Sequence, residues 1–185
     1  MLNNIVGIYG VGVPAATNSF ESIATAVGTG SSGVITFSVI PSTYKHLQLR
    51  WINKNTSTGS YNLLRFNGDS GSNYADHYLF GQGANPAVAG ADTTQTSINL
   101  YGSLVTSTGS DIYAAHIVDI LDYTSTNKNK TVRAIGGQDS NGSGIAILSS
   151  GLWMNSSTAI SSLTITANTG NFTTASQFAL YGIKG

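Results

Sequence analysis

The sequence predicts an all-β protein: a single jelly-roll-like antiparallel β-sandwich preceded by a short extended arm. Three observations carry that expectation. Short runs rich in Val, Ile, Thr, Tyr and Phe recur along the chain, several alternating apolar and polar residues with the two-residue period of a half-buried strand. Clusters of Gly, Ser, Asn and Pro punctuate these runs at the spacing of a sandwich or jelly roll. No stretch reads convincingly as a helix, and no period of 20 to 50 residues repeats, which disfavours a solenoid or propeller.

Composition narrows the class. A chain of 185 residues makes one domain and buries enough surface to need no staples. Charged residues are only 9% of it, far below the usual quarter. Gly, Ser, Thr and Asn supply the polarity instead, at 22, 24, 21 and 16 residues. Those side chains keep a surface hydrated at low entropic cost and suit strands and tight turns. A surface so poor in Lys and Glu also lacks the usual protection of strand edges, so edges are expected to be paired, closed or buried in an oligomer. Eight basic residues balance eight acidic ones without forming a run, which argues against nucleic-acid binding. The chain has no cysteine, so neither a disulfide nor a thiolate metal site is available. No stretch approaches the roughly 20 apolar residues of a membrane helix, and the N-terminus lacks the basic start of a signal peptide. The expectation is a protein made in the cytosol, without a membrane partner.

In chain order, residues 1–19 read as an extended arm, with Ile5, Val6, Ile8, Tyr9, Val11 and Val13 too apolar for a free tail. The arm is expected to pack on its own domain or on a neighbour, and residues 20–185 form the sandwich. Residues 20–27 and 33–39 are rich in Thr, Val and Ile and are joined by a Gly/Ser linker, a hairpin signature. Residues 45–53 alternate cleanly, with Leu47, Leu49 and Trp51 on one face and His46, Gln48, Arg50 and Ile52 on the other. Strands are expected over 61–66, 74–80 and 97–101, whereas residues 81–94, small and polar, read as an exposed excursion. The centre of the chain is residues 112–137, two apolar runs around the polar loop 124–129, read as a long hairpin in mid-sheet. Residues 142–154, 160–167 and 177–183 continue the sheet, with Phe178, Leu180 and Gly182 sharing a face.

Chemistry is thinly represented, and the expectation is a protein that is not an enzyme and takes no cofactor. His46, His77 and His116 lie on or near strands, and no G-x-S-x-G elbow accompanies them. Asp119 and Asp122 are three apart, so an ideal strand points them to opposite faces, against a paired acid and base. A salt bridge from Asp119 or Asp122 to Arg133 across the hairpin, or hydrogen bonds to hydroxyls and loop amides, suits them better. The single Glu is Glu21. Residues 69–73, with Asp76 just beyond, offer alternate oxygens of the kind calcium takes, but lack an EF-hand's spacing and terminal Glu. A turn built on Asx side chains accounts for the same residues. Trp51 and Trp153 read as core. Asp69, Asn73, Tyr74, Tyr78 and Phe80 form the candidate loop binding surface.

Several segments together carry a family resemblance: YKHLQLRW at 44–51, LRFNGDSGSNYADH at 64–77, VDILDYTSTNKNKTVRAIGG at 118–137, SGLWMNSSTAISSLTI at 150–165 and FALYGIKG at 178–185. In combination they resemble β-sandwich virion proteins of tailed bacteriophages, those of cyanobacterial hosts especially, over the chain from about residue 20 onward. The resemblance implies a virion structural part assembled in the host cytoplasm, a capsid decoration or cement protein, commonly a homotrimer, bound to the major capsid protein. The alternative it implies is a tail or fibre component whose loops bind a host glycan. It implies no catalytic residues.

Overall fold

The computed structural model describes residues 19–57, 59, 61–102 and 111–185. Residues 5–13, the apolar part of the expected arm, lie outside them. Among the described residues there is no helix; twelve strands form two antiparallel sheets. They are β1 (Phe20–Val27), β2 (Val34–Phe37), β3 (His46–Asn53), β4 (Tyr61–Phe66), β5 (Tyr74–Gln82), β6 (Val88–Gln95), β7 (Ile98–Tyr101), β8 (Ala114–Leu121), β9 (Lys130–Gln138), β10 (Ile145–Trp153), β11 (Leu163–Ala167) and β12 (Gln177–Ile183). One sheet has eight strands in the order β1-β12-β3-β8-β9-β10-β5-β6, the other four in the order β2-β11-β4-β7.

The pairing is nested. β1 pairs with β12, β2 with β11, β3 with β8 and β4 with β7, as if one long hairpin had been rolled up. Lateral pairing of β12 with β3 and β11 with β4 then completes two four-stranded layers. That is the topology of a jelly roll. Two further hairpins widen one layer: β9 and β10 follow β8, and β5 and β6 pair on beyond β10.

Alternation sets the register. Leu47, Leu49 and Trp51 point inward from β3, and Phe178, Leu180 and Gly182 from β12, as the sequence pattern requires. Across the sandwich they meet Leu64 and Phe66 of β4 and Leu163 and Ile165 of β11 in one continuous core. Aromatic rings anchor both ends of it. Trp153 packs on Phe66 and Tyr74 at one end, and Trp51 stacks on His116 and Phe178 at the other. Lys130 is wholly buried beside the first cluster, its ammonium over the Trp153 ring and donating to the Asn155 carbonyl at 2.9 Å. An ammonium with carbonyl and π-face partners offsets its desolvation.

The central hairpin stands as expected, with β8 and β9 fourth and fifth of the eight strands. Two local expectations are corrected. Residues 20–27 and 33–39 do not form a hairpin: β1 and β2 sit in different sheets, and their linker crosses the sandwich edge. Nor is 81–94 an excursion, for β5 runs to Gln82 and β6 pairs with it as an edge strand. Gly90 of β6 is held small by a neighbour, since a Cβ there would come within 2.4 Å of the Tyr78 ring.

Leu49 is fully buried, and Leu49→Ala is expected to lower unfolding free energy by about 2–5 kcal/mol in a denaturant titration. Val39 sits 90% exposed at φ 55°, a conformation β-branched residues resist. Val39→Asn is therefore expected to raise stability by about 1 kcal/mol in the same assay.

Candidate functional site

The four-stranded layer is half as wide as the layer it covers, and both faces of the wide sheet carry unusual side chains. Between its inner face and β7 of the narrow sheet lies a polar cluster, Asp76, Asp92 and His116 from the wide sheet with Asn99 and Tyr101 from β7. Asp76 on β5 and Asp92 on β6 are paired across the ladder. The Asp76 carboxylate accepts the Asn99 backbone N–H at 3.0 Å, and the Tyr101 hydroxyl donates to Asp92 at 2.9 Å. The His116 Nε2 meets the Tyr101 carbonyl at 2.8 Å, and its ring lies over Gly136, where a Cβ would collide with it at 2.2 Å. Burial is the main force on both ionisable ends. It raises the Asp76 carboxyl to about 6, opposed by the Asn99 amide and assisted by the nearby Asp92 charge. It lowers the His116 imidazole to about 4, so the ring is neutral at pH 7. One Asp76 oxygen and the His116 Nδ1 have no hydrogen-bond partner. A neutral imidazole bears that at little cost, and the Asp76 carboxyl holds its proton only below about pH 6.

The outer face is ordered in rows that cross the strands. Ile117, Ile135, Leu148 and Leu79 are successive cross-strand partners on β8, β9, β10 and β5, and all point to solvent. Their exposures are 39%, 59%, 51% and 49%, so the row is an open apolar ridge. Beside it runs a row of small residues in register, Ala115, Gly137, Ala146 and Gly81. The ridge and this trough bound a shallow groove of about 420 Å³. On the ridge's other side lies the polar row Gln48, Asp119, Arg133, Ser150 and His77. There Arg133 and Gln48 each donate to Asp119 at 2.7 Å. Burial pushes the Asp119 carboxyl up, but these two donors outweigh it and hold it below its ordinary value. Toward β1, the Arg50 guanidinium lies over the rings of Phe20 and Tyr181, which stack at 4.8 Å.

The residues expected to form a loop binding surface are mostly spent inside the fold. Tyr74 is a core residue, fully buried, its hydroxyl bonded to the backbone of Phe66 and Asp69. The Asp69 carboxylate accepts the Gly71 N–H at 2.9 Å, the Asn73 amide at 3.0 Å and the Trp153 indole N–H at 2.7 Å. That is the Asx turn, and the indole bond above all holds this carboxyl below its ordinary value. Asp76 faces inward, away from the loop oxygens. Tyr78 and Phe80 are half-buried on β5, stacked on each other, with Tyr78 also against Tyr101. Asp119 meets Arg133 across the hairpin, one of the roles expected of it, while Asp122 at the hairpin tip is gripped by Lys128 and Lys45, which hold it near 2.

The apolar ridge was not expected from the sequence, although a signal for it is there. In AAHIVDIL the apolar residues occupy both parities of β8, and AILSSGL does the same on β10. Strands apolar on both faces are normally covered on both. No protein-family model matches the chain, and no curated protein matches it.

The two buried ionisable groups act in opposite directions on stability. Asp76 keeps its proton in the fold after the unfolded chain has lost its own, so it makes stability fall as pH rises from about 4 to about 6. His116 refuses, down to about 4, the proton that the unfolded chain takes up near 6.5, so it makes stability fall as pH drops through the same window. The wild-type profile is expected to be nearly flat there. Asp76→Asn is expected to leave stability climbing with pH, and His116→Gln to leave it declining, each by at most about 1.4 kcal/mol per pH unit in urea titrations.

Proposed function

We propose that this chain is a structural protein of a tailed-phage virion, a decoration or cement protein of the capsid that works as a homo-oligomer. The observation that carries the reading is the open apolar row on a jelly roll with few charged residues. An apolar face of this kind marks a protein contact, and jelly rolls are a common architecture of viral shells. The ionisable residues support the same side, because Glu21, Asp69, Asp76, Asp92, Asp119, Asp122 and His116 are engaged with the fold's own donors, rings and backbone. The segment resemblance to phage virion proteins supports it independently. In such a protein the mechanism is burial of shared surface. Contacts among copies and with the shell stabilise the assembled state by mass action, because they are made only there. The apolar residues Ile5, Val6, Ile8, Tyr9, Val11 and Val13 supply a segment for gripping a neighbour or the major capsid protein.

Quantitative mass spectrometry of purified virions tests this. Copies comparable in number to the major capsid protein are expected. A handful per particle would transfer the chain to the tail or fibre, and absence from virions would refute the reading. Removal of residues 1–13 is expected to abolish incorporation while leaving the circular dichroism spectrum of the sandwich unchanged. Normal incorporation of the shortened chain would exclude the arm as the connector.

A further inference from the structure

We infer that the ridge-and-trough face of the eight-stranded sheet pairs with the same face of a second copy of this chain, about a two-fold axis lying between the two rows. The inference rests on the homo-oligomeric reading above and names the surface that performs it.

The face is self-complementary in shape. The ridge Ile117, Ile135, Leu148 and Leu79 and the trough Ala115, Gly137, Ala146 and Gly81 run side by side across the same four strands, one alternation apart. A two-fold rotation about a line parallel to both, midway between them, lays each ridge into the other copy's trough. Every large side chain then faces a Gly or Ala, the large-against-small packing that lets two sheets approach to about 10 Å. The same rotation matches charge. Arg133 stands two residues before Ile135 on β9, and Asp139 two residues after Gly137, both exposed. Counted along the strand they stand equally far from the axis, Asp139 one residue past the end of β9, so Arg133 of each copy comes near Asp139 of the other. The extent of the face is sufficient. Six strands at about 4.8 Å spacing, from β3 to β6, by roughly 26 Å of strand give about 750 Å². A standard interface takes roughly 800 Å² from each partner. The contact is isologous and closes at two copies, whereas the family resemblance implies three; the mass of the particle separates them.

The experiment is sedimentation equilibrium of the full chain across micromolar concentrations, with three sets of variants. A dimer is expected for the wild type. Leu148→Glu, at a position half exposed in the single chain, is expected to yield a monomer with an unchanged circular dichroism spectrum. Arg133→Asp and Asp139→Arg are each expected to weaken dimerisation about tenfold, the order of the two charge contacts that the two-fold repeats, and their combination to restore it. A wild-type monomer at every concentration overturns the inference, as does a dimer or trimer indifferent to Leu148→Glu. So does a monomer that becomes a dimer when residues 1–18 are removed, which would show the chain's own arm on this face. A monomer still abundant in virions refutes the pairing and leaves the structural reading standing. A dimer with these sensitivities that is absent from virions does the reverse.

Discussion

Sheets in water must cover one face, and here four strands are set to cover eight. Most of what is distinctive in the molecule descends from that mismatch. Over β1, β12, β3 and β8 the two layers match, and the contact is largely apolar, with Leu47, Leu49, Leu163, Ile165 and Leu180 fully buried. Over β9, β10, β5 and β6 the cover is thinner, supplied by the narrow β7 and by Phe66 at the end of β4. The chain closes the remainder with rings and paired polar groups: Trp153 on Tyr74, Tyr78 on Tyr101, and Asp76 on the Asn99 amide. Desolvation of Asp76 and His116 is the cost of that substitution.

Widening the sheet also enlarges the face turned to solvent. On a four-stranded layer an outward Ile or Leu is a scattered residue of no consequence. On eight strands in strict register the same residues line up. Because β8, β9, β10 and β5 pair without a bulge at these positions, Ile117, Ile135, Leu148 and Leu79 form one row. The added hairpins therefore serve twice, extending the core on one side and assembling an apolar surface on the other.

The architecture was legible because alternation is a direct trace of burial. The patterns of β3 and β12 and the central hairpin could be read from spacing alone, whereas the Asp119–Arg133 pair was one of several roles that spacing left open for the two aspartates. Pairing between β1 and β12 could not, since no local pattern records which distant strand lies alongside, and a Gly/Ser linker that crosses between sheets looks like one that turns a hairpin. β6 was hidden by its small residues, one of which, Gly90, is kept small by the Tyr78 ring that covers it. Tyr74 illustrates the opposite error. It follows a polar loop, but it begins a strand, and strand parity turns it inward under Trp153. Of the surface rows, each contributing residue was visible while their adjacency was not, because adjacency is a property of register.

The nested pairing of first strand with last has a temporal consequence. Glu21 and Lys184, 163 positions apart, are bridged across the β1·β12 ladder. During synthesis β1 must wait through the emergence of the ten strands described between it and its partner, with its N–H and C=O groups and the apolar parity of FESIATAV unsatisfied. Loop-closure entropy makes such ladders late and slow to form. The hairpin of β8 and β9, separated by a short loop, can close within microseconds of leaving the ribosome. The outermost ladder is thus the final one to lock, and the half-made molecule exposes a sticky edge for as long as translation lasts.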